Sequence, residues 1–109
     1  MPERADLLQG TLDLLILKTL LLGPLHGWGI SKRLHEVSGE ALSVGQGSLY
    51  PALYRLEDRG WIESEWGMSP EGKRAKFYTL SRAGRKQFVT ERARWQLFAA
   101  TVEQVLRAT

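Results

Sequence analysis

Residues 46–80 read QGSLYPALYRLEDRGWIESEWGMSPEGKRAKFYTL, and the spacing of their apolar positions changes partway along. In the first part, apolar residues recur at steps of four and three and share one helical face: Leu49, Leu53 and Leu56. Gly60 is expected to end this helix. From Trp61 to Trp66, and again from Arg74 to Leu80, apolar and polar residues alternate with a turn-rich stretch between the two runs. This pattern predicts a helix followed by a β-hairpin.

Upstream of this stretch the sequence predicts two more helices. The first spans residues 11–22, with Thr11 as its N-cap, Asp13 in its first turn and Gly23 at its end. The second spans residues 27–37. Its predicted inward positions are Ile30, Leu34 and Val37. Three helices followed by a two-stranded β-wing predict a mainly α fold, the winged helix-turn-helix.

A long fourth helix is predicted after the hairpin, capped by Ser81 and continuing to the C-terminus. Its apolar residues recur at steps of three and four, as in a helix-packing seam: Phe88, Trp95, Phe98, Val102 and Leu106. Such a stripe has no obvious partner within so small a domain, so it predicts association with a second copy. We therefore expect residues 1–80 to form the winged helix-turn-helix domain and residues 81–109 to form a dimerisation helix.

The predicted third helix corresponds to the recognition helix, which lies in the DNA major groove in this fold. Its exposed face offers five side chains for DNA contact: Gln46, Ser48, Tyr50, Tyr54 and Arg55. Glutamine pairs with adenine and arginine with guanine, whereas tyrosine hydroxyls can reach phosphates. The predicted wing adds three cations for the phosphate backbone: Lys73, Arg74 and Lys76. Alternatively, the tyrosines are partly packed surface residues and the wing charges are merely solvated.

The composition narrows the range of functions. Lys and Arg number 15 against 12 Asp and Glu, and the net charge of +3 permits a polyanionic partner. There is no cysteine, and the two histidines, His26 and His35, would lie on opposite faces of a helix, so we expect no catalytic residue, metal or cofactor. The longest apolar run is interrupted by Lys18 and no signal peptide is evident, which predicts a soluble, cytoplasmic protein without membrane contact.

Trp95 suggests a ligand. An indole near a dimer axis could stack on a flat aromatic effector, although a plain packing tryptophan explains the residue equally well.

Two other functions also fit the fold: a winged helix that docks on a protein, and one that binds RNA.

Several stretches resemble the PadR family of transcriptional regulators: residues 9–20, 26–30, 44–57, 60–62, 64–67 and 74–80. The single long terminal helix resembles the short subgroup of that family. The resemblance implies a repressor of nearby genes that a small inducer, such as a phenolic acid or a planar drug, releases from DNA. Multidrug-binding members carry a tryptophan at the position that Trp95 matches, and Trp28 stands where the family usually has tyrosine.

Overall fold

The structure is a computed structural model that describes residues 4–109, with side chains described from Gln9 onward. The elements run in the following order: α1 (Arg4–Thr19) continued by a 3-10 turn (Leu20–Leu22), β1 (Leu25–His26), α2 (Gly27–Val37), α3 (Gln46–Asp58), β2 (Ile62–Met68), β3 (Arg74–Leu80) and α4 (Arg82–Arg107). The predicted winged helix-turn-helix with a long terminal helix is confirmed, and the bounds of α2 and β3 match the predicted ones.

The wing belongs to a three-stranded antiparallel sheet of order β1-β3-β2, so the prediction of a two-stranded sheet was incomplete. Strand β1 pairs Leu25 with Tyr78 and His26 with Phe77. A strand of two residues is too short to show an alternating pattern, which explains why the sequence did not reveal it. Its effect is to attach the start of α2 directly to the wing.

The start of α1 also differs from the prediction. The helix begins at Arg4 instead of Thr11, so Thr11 lies inside it and is not its N-cap, and Asp13 is not in its first turn. The end is as predicted: the 3-10 turn stops at Leu22 and Gly23 follows with a φ of 149°.

A single apolar core joins the helices to the sheet. Its fully buried members include Ile16 and Leu17 of α1, Ile30 of α2, Leu53 of α3 and Ile62 of β2. The predicted inward face of α3 is confirmed, because Leu49, Leu53 and Leu56 are all buried. Val37 is exposed at the last position of α2, so its predicted inward placement was wrong.

The first turn of α4 packs closely against the start of the hairpin. Ser81 caps it as predicted, because its Oγ accepts a hydrogen bond from the Gly84 amide at 3.0 Å and donates one to the Gly60 carbonyl at 2.6 Å. A Cβ on Gly84 would lie 1.9 Å from the carbonyl oxygen of Trp61, so no larger residue fits there. At about 1.5 Å per residue, the 26 residues of α4 give a rod that continues well beyond the core.

Candidate nucleic-acid interface

The first turn of α3 presents its polar residues to solvent. Gln46, Gly47 and Ser48 are exposed at the N-terminal end, and Tyr54 is exposed two turns further on. A helix N-terminus carries partial positive charge and unpaired N–H groups, both of which suit a phosphate or a base edge. The exposed face of α3 therefore offers the side-chain amide of Gln46 and the hydroxyls of Ser48 and Tyr54 as hydrogen-bonding groups for DNA.

Tyr50 has a different environment from Tyr54. It is partly buried against the core, and a Cβ on Gly27 would lie 2.8 Å from its hydroxyl oxygen. The ring therefore covers the first turn of α2, and Gly27 leaves the room that the ring needs. Tyr50 is thus partly packed whereas Tyr54 is exposed, and the DNA contacts predicted for both stay predictions.

Arg55 is engaged within the protein. Its Nη2 donates to Oδ1 of Asp13 at 2.9 Å, which joins α3 to α1. Burial raises the pKa of Asp13 above the usual carboxyl value, and the hydrogen bond and charge of Arg55 oppose that rise only in part. The Nε of Arg55 is buried without a hydrogen-bond partner among the described residues. The guanidinium is thus engaged with α1 in this structure, with about a quarter of the side chain exposed, and its predicted contact with a base stays a prediction.

The tip of the wing is a closed turn. The Ser69 amide donates to the Lys73 carbonyl at 2.7 Å, and the Lys73 amide donates back to Ser69 Oγ at 3.1 Å. Gly72 has a φ of 80°, which favours glycine. The turn projects Lys73 and Arg74 into solvent, and the Arg74 guanidinium lies 4.7 Å from the centre of the Trp66 ring.

Lys76 forms an ion pair with α3, and about a third of its side chain remains exposed. Its Nζ lies 3.7 Å from Oε1 of Glu57, and Glu57 also accepts a hydrogen bond from Ser64. The pair connects the wing to the C-terminal half of α3 and neutralises part of the Lys76 charge. Of the three predicted wing cations, Lys73 and Arg74 are therefore the ones without a carboxylate partner among the described residues.

A groove of about 690 Å³ separates α3 from the wing. Its aromatic walls come from three elements: Trp28 of α2, Tyr54 of α3 and Trp66 of β2. Trp28 did not emerge as a site residue from the sequence, where it stood only as a variant of a usual tyrosine. The signal available in the sequence was a large aromatic residue between two glycines at the start of a helix, and its exposure became evident only in the structure.

The predicted dimer residues divide into two groups. Phe88 is 9% exposed and lies in the core of its own chain, which leaves little of its surface for a partner. The other four, all further along α4, remain exposed: Trp95, Phe98, Val102 and Leu106. These four side chains lie on one face of the part of α4 that extends beyond the core.

A second hollow, of about 470 Å³, lies between α1 and α4. Leu14 and Leu15 line one side and Phe88 and Trp95 the other. Its lining also includes two cations: Lys18 and Arg92.

The described part of the chain has no cluster of His, Asp and Glu residues that could hold a metal ion. Within that part, no helix is long and apolar enough to cross a membrane.

A helix-turn-helix with a basic wing and an exposed recognition-helix N-terminus defines the class of winged-helix DNA-binding proteins. Residues 16–90 match the model of the transcriptional regulator PadR-like family, and the chain belongs to that family. Its members are DNA-binding regulators and not enzymes, and the fold supports the same role here.

Solved structures of other regulators are similar along almost their whole length. A transcriptional regulator from Clostridium thermocellum is 28% identical with a TM-score of 0.82, over 91% of this chain and 96% of that one. A PadR family regulator from Eggerthella lenta is 28% identical with a TM-score of 0.80, over 96% of this chain and 89% of that one.

A sequence relative matches over a shorter part of its length. A 37.1 kDa protein from a transposon of Streptomyces fradiae is 40% identical over 74 residues, which are 68% of this chain and 20% of that protein.

Proposed function

We propose that this chain is a homodimeric regulator that binds a palindromic DNA operator and represses nearby genes. The observation that carries the proposal is that the exposed α3 residue Tyr54 and the wing cations Lys73 and Arg74 line the same groove. Helix α3 would lie in the major groove while the wing follows the adjacent backbone.

Base reading in this proposal falls to the first turn of α3. Gln46 and Ser48 are exposed there, and a glutamine amide can pair with adenine through two hydrogen bonds. Tyr54, Lys73 and Arg74 would contact phosphates. Arg55 and Tyr50 are assigned to holding α3 in place, because Arg55 is paired with Asp13 and Tyr50 packs on Gly27.

Dimerisation is assigned to residues 81–109, and DNA binding to residues 1–80. Trp95 and Phe98 each leave about half of their surface exposed, at 47% and 48%. A twofold axis near these side chains would bury both and would place two α3 helices for the half-sites of a palindrome.

A small planar or phenolic effector is the last part of the proposal. Trp95 lines the hollow between α1 and α4, and Lys18 and Arg92 could neutralise a carboxylate on a ligand there. Because Asp13 is on α1 as well, a ligand that shifts α1 would also disturb the ion pair that holds α3.

The test is selection of bound sites from a random pool of duplex DNA, with a pool of RNA as the control. Enrichment of an inverted repeat, with half-sites about one helical turn apart, is the expected result. Enrichment from the RNA pool alone would indicate an RNA-binding module, and no enrichment from either pool would favour a winged helix that docks on proteins. The selected duplex would then be used in release assays with phenolic acids.

A further inference from the structure

Two exposed tryptophans face the groove between α3 and the wing, and each has a cation at its ring. Trp28 is 58% exposed with Lys32 Nζ 5.1 Å from its ring centre. Trp66 is 59% exposed with the Arg74 guanidinium 4.7 Å from its ring centre. Two such pairs on opposite elements of one groove are not explained by folding, because neither ring is buried.

Two aromatic side chains, His26 and Phe77, support the ring of Trp28. His26 Nδ1 accepts a hydrogen bond from the Gly29 amide at 3.0 Å, which caps α2 and fixes the imidazole. The edge-on ring of Phe77 lies 5.4 Å from the imidazole, and Trp28 stacks on the imidazole at 6.1 Å. A side chain fixed in this way loses little conformational entropy when a ligand covers it.

The groove favours an anionic partner. Among the described residues that line it, Lys73, Arg74 and Lys76 are cations and Glu71 is the acidic one. Lys76 is already paired with Glu57, so Lys73 and Arg74 supply the charge that faces the opening. Lys32 lies beside Trp28 and forms an ion pair with Glu36 at 4.0 Å, in which both side chains are more than half exposed. A chain of phosphates would thus meet a cation beside each of the two tryptophans.

We infer that this groove holds the sugar–phosphate backbone of one DNA strand, with Trp28 and Trp66 as its two walls. The inference rests on the proposed function. In B-DNA the sugar–phosphate backbone of one strand lies between the major groove and the adjacent minor groove. If α3 lies in the major groove and the wing lies beside the minor groove, that backbone must pass between α3 and the wing. The rings pack on the deoxyriboses, the indole N–H groups donate to phosphates, and Lys32 and Arg74 neutralise charge. Trp28 and Lys32 thereby become DNA-contacting residues on α2.

The test compares two duplexes, the one selected in the pool experiment and a scrambled duplex of the same length. Trp28→Ala and Trp66→Ala should each weaken binding to both duplexes by about tenfold, because backbone contacts carry no sequence information. Lys32→Ala should lower the slope of log affinity against log salt by about 1, because its ion pair with Glu36 is exposed and weak enough for a phosphate to replace it. Trp28→Tyr, which keeps a ring and a donor, should restore most of the affinity. Leu97→Ala, an exposed change on α4, is the matched control.

The outcomes separate the inference from the proposed function. If the unmodified protein binds neither duplex, the proposed function fails and the inference with it. If the unmodified protein binds but Trp28→Ala and Trp66→Ala bind equally well, the inference alone is overturned. A loss confined to the selected duplex would overturn it too, because it would make the tryptophans base-reading residues. Thermal unfolding of each variant establishes that the affinity changes do not come from misfolding.

Discussion

Arg55 and Asp13 form an ion pair across 2.9 Å that ties the recognition helix α3 to the interior side of α1. The two residues are 42 positions apart in the chain, and both side chains are largely buried. A pair in this position fixes how far α3 stands from α1, and with it the angle at which α3 can enter a DNA groove. The pair gives Arg55 a structural role in holding α3, and its predicted contact with a base stays a prediction.

Replacing Arg55 should cost stability, not base preference. Arg55→Met leaves the Asp13 carboxylate buried without its counter-ion, and we expect a loss of about 1–3 kcal/mol in the free energy of unfolding. The double variant Asp13→Leu with Arg55→Met should recover much of that loss, since both charges are gone. Urea unfolding at one fixed protein concentration measures these changes. A normally stable Arg55→Met protein with altered preference at one base pair would show that Arg55 reads DNA after all.

The raised pKa of Asp13 predicts a pH dependence. Burial makes the folded protein hold the Asp13 proton more tightly than the unfolded chain, whose carboxyl has a pKa near 3.8. Folding stability therefore falls as the pH rises from about 3.8 through the folded-state pKa, and the cost is fully present above it. The stability of the unmodified protein relative to Asp13→Asn should decrease across this window and then stay level. A relative stability that increases with pH would mean that Arg55 outweighs burial.

The sequence predicted those features that depend on local periodicity. The buried face of α3 follows from the leucine spacing. The hairpin follows from the alternation of apolar and polar residues in the two runs on either side of the turn at residues 67–72. Long-range partners could not be read in this way. Arg55 lies at the boundary of the exposed face of α3, and nothing local shows that Asp13 lies opposite. The two residues of β1 were missed for the same reason, because only their pairing with β3 makes them a strand.

The wing cations should differ in their effect on DNA binding. Lys73 and Arg74 extend into solvent, so Lys73→Ala and Arg74→Ala should each reduce the slope of log affinity against log salt by about 1. Lys76→Ala should change the slope less, since Glu57 already neutralises part of its charge, and should cost at most about 1 kcal/mol of stability. Fluorescence anisotropy titrations at several salt concentrations measure the slopes. Equal effects of all three changes would show that the Glu57 pair does not reduce the contribution of Lys76 to DNA binding.

The exposed stripe on α4 predicts where a dimer breaks. Phe98→Asp or Val102→Asp places a charge on the face that the proposed dimer buries, at a cost that association cannot offset. Each variant should elute and scatter light as a monomer of about the 12.3 kDa chain mass, where the unmodified protein gives twice that value. Leu97→Asp is the matched control, because Leu97 is 72% exposed and is turned away from the stripe. The monomers should keep the unfolding behaviour of the winged domain and bind a single half-site weakly. If Leu97→Asp dissociates the protein and Phe98→Asp does not, the association surface lies on the other face of α4.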